Sequence, residues 1–168
     1  MNAQARRWIE TLGLAPHPEG GYYREVYRSA DTIPAAGLPA RYGAPRSAAT
    51  SIYFLLEGRD RSHLHRLRSD EIWCHHAGGV LAIAMILPDG RREDVRLGAS
   101  PRDGALPQAV LPRGAWFGAR LESESDHALI GCVVAPGFEF ADFELGRRAD
   151  LLAAFPQHRE LIVELTAP

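Results

Sequence analysis

Lysine is absent from the 168-residue chain: all 19 basic residues are arginine. That excludes Schiff-base chemistry and lysine general bases. Cysteine is nearly absent as well. Cys74 and Cys132 are too few for a disulfide framework, so both thiols are expected to be free. Neither sign of charge dominates, since 19 basic and 21 acidic residues leave a net charge of −2 and a pI near 6.4. The basic footprint of a nucleic-acid-binding protein is therefore missing. No apolar run approaches the roughly 20 residues of a membrane span. The opening MNAQARRWIETLGL has neither the apolar core nor the cleavage site of a secretory leader. A cytoplasmic protein with no nucleic-acid or membrane partner is the expectation. There is no Gly-rich dinucleotide fingerprint, Walker loop or nucleophile elbow, so nucleotide cofactors and serine-hydrolase chemistry are not indicated.

What is present suits one domain over residues 1–168. The hydrophobic share is 46%, and the chain is long enough to bury a core. Residues 3–12 have helical spacing, with Trp8, Ile9 and Leu12 on one face and Gly13 as the stop. The segment HPEGGYYREVYRS reads as a loop feeding a strand, and residues 31–47, with three prolines, as an irregular loop. Short β-branched or aromatic runs follow at 50–57, 61–66, 71–77, 79–87, 93–96, 107–111, 115–121 and 127–135. Turn residues separate them, the pattern of a sandwich or barrel. Residues 148–155 and 157–164 return to helical spacing around Pro156. The expected architecture is all-β: a barrel over about 17–145, a short N-terminal helix and a C-terminal helical tail.

The stretch Gly58–Gly78, GRDRSHLHRLRSDEIWCHHAG, carries the chemistry. In a regular strand His63 and His65 project from one face. A turn at 68–70 then brings Glu71 back on a neighbouring strand, with Trp73 and His75 on its side. Two imidazoles and a carboxylate form either most of a metal site or an acid/base pocket.

These residues resemble the first motif of the cupins: glycine, His-x-His, glutamate, glycine, here Gly58, His63, His65, Glu71 and Gly78. The second motif is echoed by Pro112-Arg113-Gly114, but Phe117 stands where its histidine ligand belongs. The blocks HPEGGYYREVYRS, SIYFLL, HRLRSDEIWCHHAGG, LPRGAWFGA and APGFEFADFEL, spanning 17–145, resemble the small cupin-five group, a domain of unknown function. The resemblance implies a double-stranded β-helix (jelly roll), a homodimer, and kinship to RmlC-like sugar epimerases and germin-like proteins. It implies no particular reaction.

Three functions follow. The first is metal-independent epimerisation or isomerisation of a small metabolite, a sugar or sugar-nucleotide derivative. In it His65 is the general base, Glu71 orients it, and Tyr53 or the Tyr22/Tyr23 pair is the acid. Tyr23, Arg24, Trp73, Gln108 and Trp116 would hold the ligand through hydrogen bonds, a guanidinium fork and ring stacking. The second is a binding or sensing module with the same pocket and no turnover. The third is a metal-dependent oxygenase or isomerase, in which His63, His65 and Glu71 hold a divalent transition metal with His75 as a fourth ligand. No other cofactor is expected. Glu19 and Asp142 lie in family-like words, Asp142 as a cap for the turn after Phe140.

Overall fold

The computed structural model describes residues 2–123 and 126–168, Asp103 by its backbone alone. Helix α1 (Ala3–Leu12) is capped by Asn2, whose side-chain oxygen accepts from the Gln4 and Ala5 amides. It stops at Gly13, whose φ of 61° suits the left-handed stop position. Among the described residues thirteen strands follow: β1 (Ala15–Pro16), β2 (Tyr22–Arg28), β3 (Thr32–Ile33), β4 (Arg46–Ser47), β5 (Thr50–Glu57), β6 (Arg61–Leu67), β7 (Glu71–Gly78), β8 (Leu81–Ile86), β9 (Arg92–Leu97), β10 (Gln108–Leu111), β11 (Trp116–Leu121), β12 (His127–Val134) and β13 (Phe143–Leu145). Helices α2 (Arg148–Ala154) and α3 (Arg159–Glu164) close the chain.

The strands form a six-stranded sheet, β1-β2-β5-β12-β7-β10, facing a five-stranded sheet, β13-β6-β11-β8-β9; every pair is antiparallel. Two facing antiparallel sheets with this order are a jelly roll. Side chains of alternate residues meet between them, including Phe54, Trp73, Phe117 and Ile130. The outer faces are covered too. Helix α1 lies on Leu55 and Leu129 of the larger sheet. The tail helices bring Leu151, Leu161 and Ile162 onto Leu64, Ile86 and Trp116 of the smaller one.

Two features differ from the sequence reading. Strands β6 and β7 are not a hairpin: they lie in opposite sheets, and the turn at 68–70 carries the chain across the barrel. The loop 31–47 is also more ordered than its prolines suggest, since β3 pairs with β4. Tyr42 is buried beneath it and bonds Ser69 at 2.9 Å, while Arg46 clamps Asp142 through two contacts of 2.6 Å. Asp142 is thus a buried counter-charge in addition to being part of a turn.

Candidate functional site

A cavity of about 140 Å³ lies between the sheets, with Glu71 and Trp73 from β7 on one wall and His65 and Leu67 from β6 on the other. His65 and Glu71 therefore share one hollow, facing it from opposite sheets. His63 does not join them. Between the Phe117–His65 and Ala119–Ser62 pairs, β6 carries one residue more than β11. Such a bulge reverses the in-out alternation. It turns Ser62 and His65 inward and leaves the half-buried His63 outside the cavity lining.

The loop between β1 and β2 supplies the other half of the site. The Gly20 amide bonds the His17 carbonyl and the His17 amide bonds the Gly21 carbonyl, forming a tight turn. The Glu19 carbonyl takes the His63 amide at 2.8 Å, fastening this turn to β6. Gly20 has φ of 107°, and a Cβ there would lie 2.1 Å from the Arg61 carbonyl oxygen. Gly20→Ala should therefore push the turn off β6 and cost about 1–3 kcal/mol. Urea denaturation measures this; an unchanged midpoint would show that the turn is not held as described.

Glu19 is buried and fully engaged. Ser62 Oγ donates to its Oε1 at 2.7 Å. Its Oε2 lies 3.3 Å from His17 Nδ1 and 3.3 Å from His65 Nε2. Both nitrogens are acceptors in the neutral rings. His65 Nδ1 is 2.8 Å from the His63 carbonyl, which can only accept, so that nitrogen carries the ring hydrogen and Nε2 the lone pair. His17 Nδ1 receives the Glu19 amide N–H at 3.2 Å, so it is bare as well. An oxygen facing two lone pairs needs a proton. The trio holds one, resting on Glu19.

Electrostatics agree with this inventory. Burial pushes the Glu19 carboxyl up to about 8, against the opposing effect of the Ser62 hydrogen bond. Burial likewise brings His65 down to about 4, and His17 to about 4 with a contribution from His65. Across the cavity, burial and then the charge of Glu19 raise Glu71 to about 8. Burial thus disfavours the charged form of all four groups. The walls are aromatic: Phe54, Trp73, Phe138 and Phe143 line the cavity, and His17 meets Tyr23 edge-on at 4.5 Å.

The remaining sequence candidates scatter. Tyr23 and Trp73 line the cavity, and the buried Trp73 Nε1 acts on the Glu71 carboxyl without a well-formed hydrogen bond among the described residues. Tyr53 lies on the outer face of its sheet beneath α1, 5.9 Å from the His76 ring, so it cannot serve as the acid. Trp116 is buried under α2 and α3, with the Arg66 guanidinium 4.5 Å from its ring centre. Arg24 donates to the Leu12 carbonyl, and Gln108 is exposed on the edge strand β10. His75 lies just before a second register shift, between β7 and β12, and its Nε2 is 3.0 Å from the Gly79 carbonyl. The metal set His63, His65, Glu71 and His75 is therefore not assembled. His17, Glu19 and His65 do converge, but among the described residues no three His, Cys, Asp or Glu side chains meet in a metal-ligating group. With Phe117 in the remaining ligand position, the motif residues do not fit the metal that the fold implies. His17 and Glu19 sit in a glycine turn, where no periodicity marks them as site residues. The trace they leave in sequence is two polar groups beside Gly20-Gly21.

The profile of the family described as "Cupin superfamily (DUF985)" matches residues 6–146. The uncharacterized protein YML079W of Saccharomyces cerevisiae is 30% identical over 143 residues, 80% of this chain and 71% of the yeast protein. A hypothetical protein from Leishmania major superposes with a TM-score of 0.88 at 38% identity over the whole of both chains. Protein SO0799 from Shewanella oneidensis gives 0.87 at 41% identity, over 100% of this chain and 99% of that one. Oxalate decarboxylase from Bacillus subtilis shares the fold, with a TM-score of 0.55 at 17% identity; 89% of this chain covers 36% of that enzyme.

Proposed function

Because the chain belongs to the DUF985 family of the cupin superfamily, whose barrel serves enzymes and binding proteins alike, we propose a function from the cavity itself. It binds a small uncharged metabolite of monosaccharide size and moves a proton on it. The observation that carries this reading is the buried Glu19 carboxyl set 3.3 Å from both His17 Nδ1 and His65 Nε2, opposite a second buried carboxyl. Groups whose environments displace their proton affinities in one hollow are the mark of acid/base work. Glu19 and Glu71 are the groups that exchange protons with the ligand. His65 and His17 position the Glu19 proton. The carboxylate beside His65 is Glu19 rather than Glu71, which revises the roles the motif suggests.

The lining favours an uncharged ligand. Its single arginine, Arg28, is bound to Glu25 at 2.8 Å and Glu139 at 2.7 Å, leaving no free cation for the diphosphate of a sugar nucleotide. Aromatic walls suit the flat face of a ring, and the Trp73 N–H beside Glu71 suits a carbonyl or ether oxygen. For a hydroxy-carbonyl ligand, one ionised carboxyl takes the α-proton while the protonated one gives its hydrogen to the carbonyl oxygen. The resulting enediol returns a proton to carbon by the reverse path.

The test is a panel of free aldoses and ketoses incubated with the protein in D2O and followed by proton NMR. Deuterium should enter the carbon next to the carbonyl, fastest near pH 8, where one of the two carboxyls is ionised. Glu19→Gln should slow this at least about 100-fold. Saturable binding without exchange would overturn the catalytic half and leave a binding module. Absence of both, with the variant indistinguishable, would overturn the whole reading.

A further inference from the structure

A second hollow lies outside the barrel end, a groove of about 580 Å³ whose rim includes Arg41, Arg66, Arg68 and Arg113. It shares Leu67 and Phe143 with the inner cavity but is a different space. We infer that this groove is a binding site for a phosphate-bearing small molecule, held by Arg41 and Arg68 with Arg113 beside them.

The argument starts from how the arginines are fixed. Arg41 Nε donates to the Arg68 carbonyl at 2.9 Å, and Arg68 Nη1 donates to the Arg41 carbonyl at 2.8 Å. Two like charges are thereby pinned against each other's backbone. The segment bearing Arg41 is itself anchored, by the buried Tyr42 hydroxyl on Ser69 and by Arg46 on Asp142. Like charges held together at a surface repel, and an anion between them relieves that cost.

The groove's own carboxylates do not supply it. Asp142 lies 3.6 Å from Arg68 Nη1, yet its two oxygens each take a bond from Arg46 at 2.6 Å. Glu144 is taken by Arg66 at 2.7 Å. Arg113 reaches Asp70 only at 3.9 Å. Among the described residues no carboxylate lies within ion-pair distance of Arg41. An excess of positive charge in a chain of net charge −2 is therefore local and ordered. Planar guanidinium forks match the oxygens of a phosphate, which two of them can grip from two sides. Glu144 and Asp70 bound the patch, so it suits a compact phosphate ester rather than a long polyanion.

Titration of the full chain with inorganic phosphate, read by calorimetry and by 31P NMR at constant ionic strength, tests this. Saturable binding is expected, weakened at least about tenfold in Arg41→Gln/Arg68→Gln. Arg147→Gln/Arg159→Gln, which changes two exposed arginines near or within the tail helices, should bind as the wild type does. Thermal melting checks that the groove variant is folded, and Arg113→Gln, a milder change outside the anchored loop, should weaken binding by a smaller factor. Equal affinity in all variants would overturn the site, as would a phosphate effect reproduced by chloride. A change in sedimentation of the groove variant without any phosphate dependence would make the groove an interface between copies and also overturn it. None of these readouts depends on the inner cavity, whose failure would appear only in deuterium exchange.

Discussion

Asp142→Asn should destabilise the protein by about 3–5 kcal/mol, the cost of stranding one member of a buried ion pair. Arg46 and Asp142 are 4% and 6% exposed, and both carboxylate oxygens are bonded by the one guanidinium. The remaining arginine hydrogens go to the carbonyls of Tyr42, Ala44 and Pro45. Those carbonyls satisfy hydrogen bonds but supply no counter-charge, so the variant leaves a buried cation facing a neutral amide. Domains of this kind are stable by about 5–15 kcal/mol in total, so a large part of the margin rests on one residue. The nearby exposed pair Arg28–Glu139 is the control. At 2.7 Å it is as short, but Glu139→Gln should cost less than about 1 kcal/mol because water solvates both charges. Urea midpoints of the two variants measure the contrast, and equal shifts would refute the buried-pair argument. The loss should also reach the cavity. Phe140 and Phe143 flank Asp142 and line that hollow, so the variant should open it.

Where elements begin and end follows from local signals that tertiary structure did not override. Gly13 and Gly58 stop the segments before them, and the runs at 50–57, 71–77 and 115–121 become β5, β7 and β11 within one residue. The facing of side chains was harder to read. In SIYFLL both faces are apolar, because Phe54 fills the core while Tyr53 and Leu55 lie under α1. Alternation cannot tell inside from outside when a helix covers the outer face. Trp116 and Phe117 pose the same problem, with Trp116 outward beneath the tail helices and Phe117 inward. The bulge in β6 is set by its pairing with β11, a partner about fifty residues away in the chain, so the parity of His63 and His65 could not be read locally. The most informative miss is Glu19. Its position depends on a close approach of Gly20 to Arg61 and on a Ser62 hydroxyl that the same bulge turns inward. Both are tertiary facts with no periodic trace.

Stability should fall as pH rises from about 6.5 to 8, and Glu71→Gln should remove about half of that fall. Glu19 and Glu71 are raised from their ordinary value of 4.5 to about 8, by burial first in each case. A folded state that holds protons the unfolded chain has released loses stability with pH; the contribution is full below 4.5 and gone above 8. His17 and His65 act in the opposite sense. Lowered from 6.5 to about 4, mainly by burial, they contribute stability that is full above 6.5 and lost as pH falls toward 4. Between 4.5 and 6.5 two falling and two rising contributions offset each other. Above 6.5 only the carboxyls remain, each worth about 1 kcal/mol per pH unit, so the pair gives a fall of up to about 3 kcal/mol by pH 8. Glutamine cannot ionise, so Glu71→Gln removes one carboxyl contribution directly. It also removes the charge that Glu19 and Glu71 impose on each other. Urea midpoints at half-unit pH steps, taken as the difference between wild type and variant, isolate the effect from every other titrating group. A difference between wild type and Glu19→Gln that stays flat from 6.5 to 8 would mean that Glu19 is already ionised, and the proton placed between His17 and His65 would not be there.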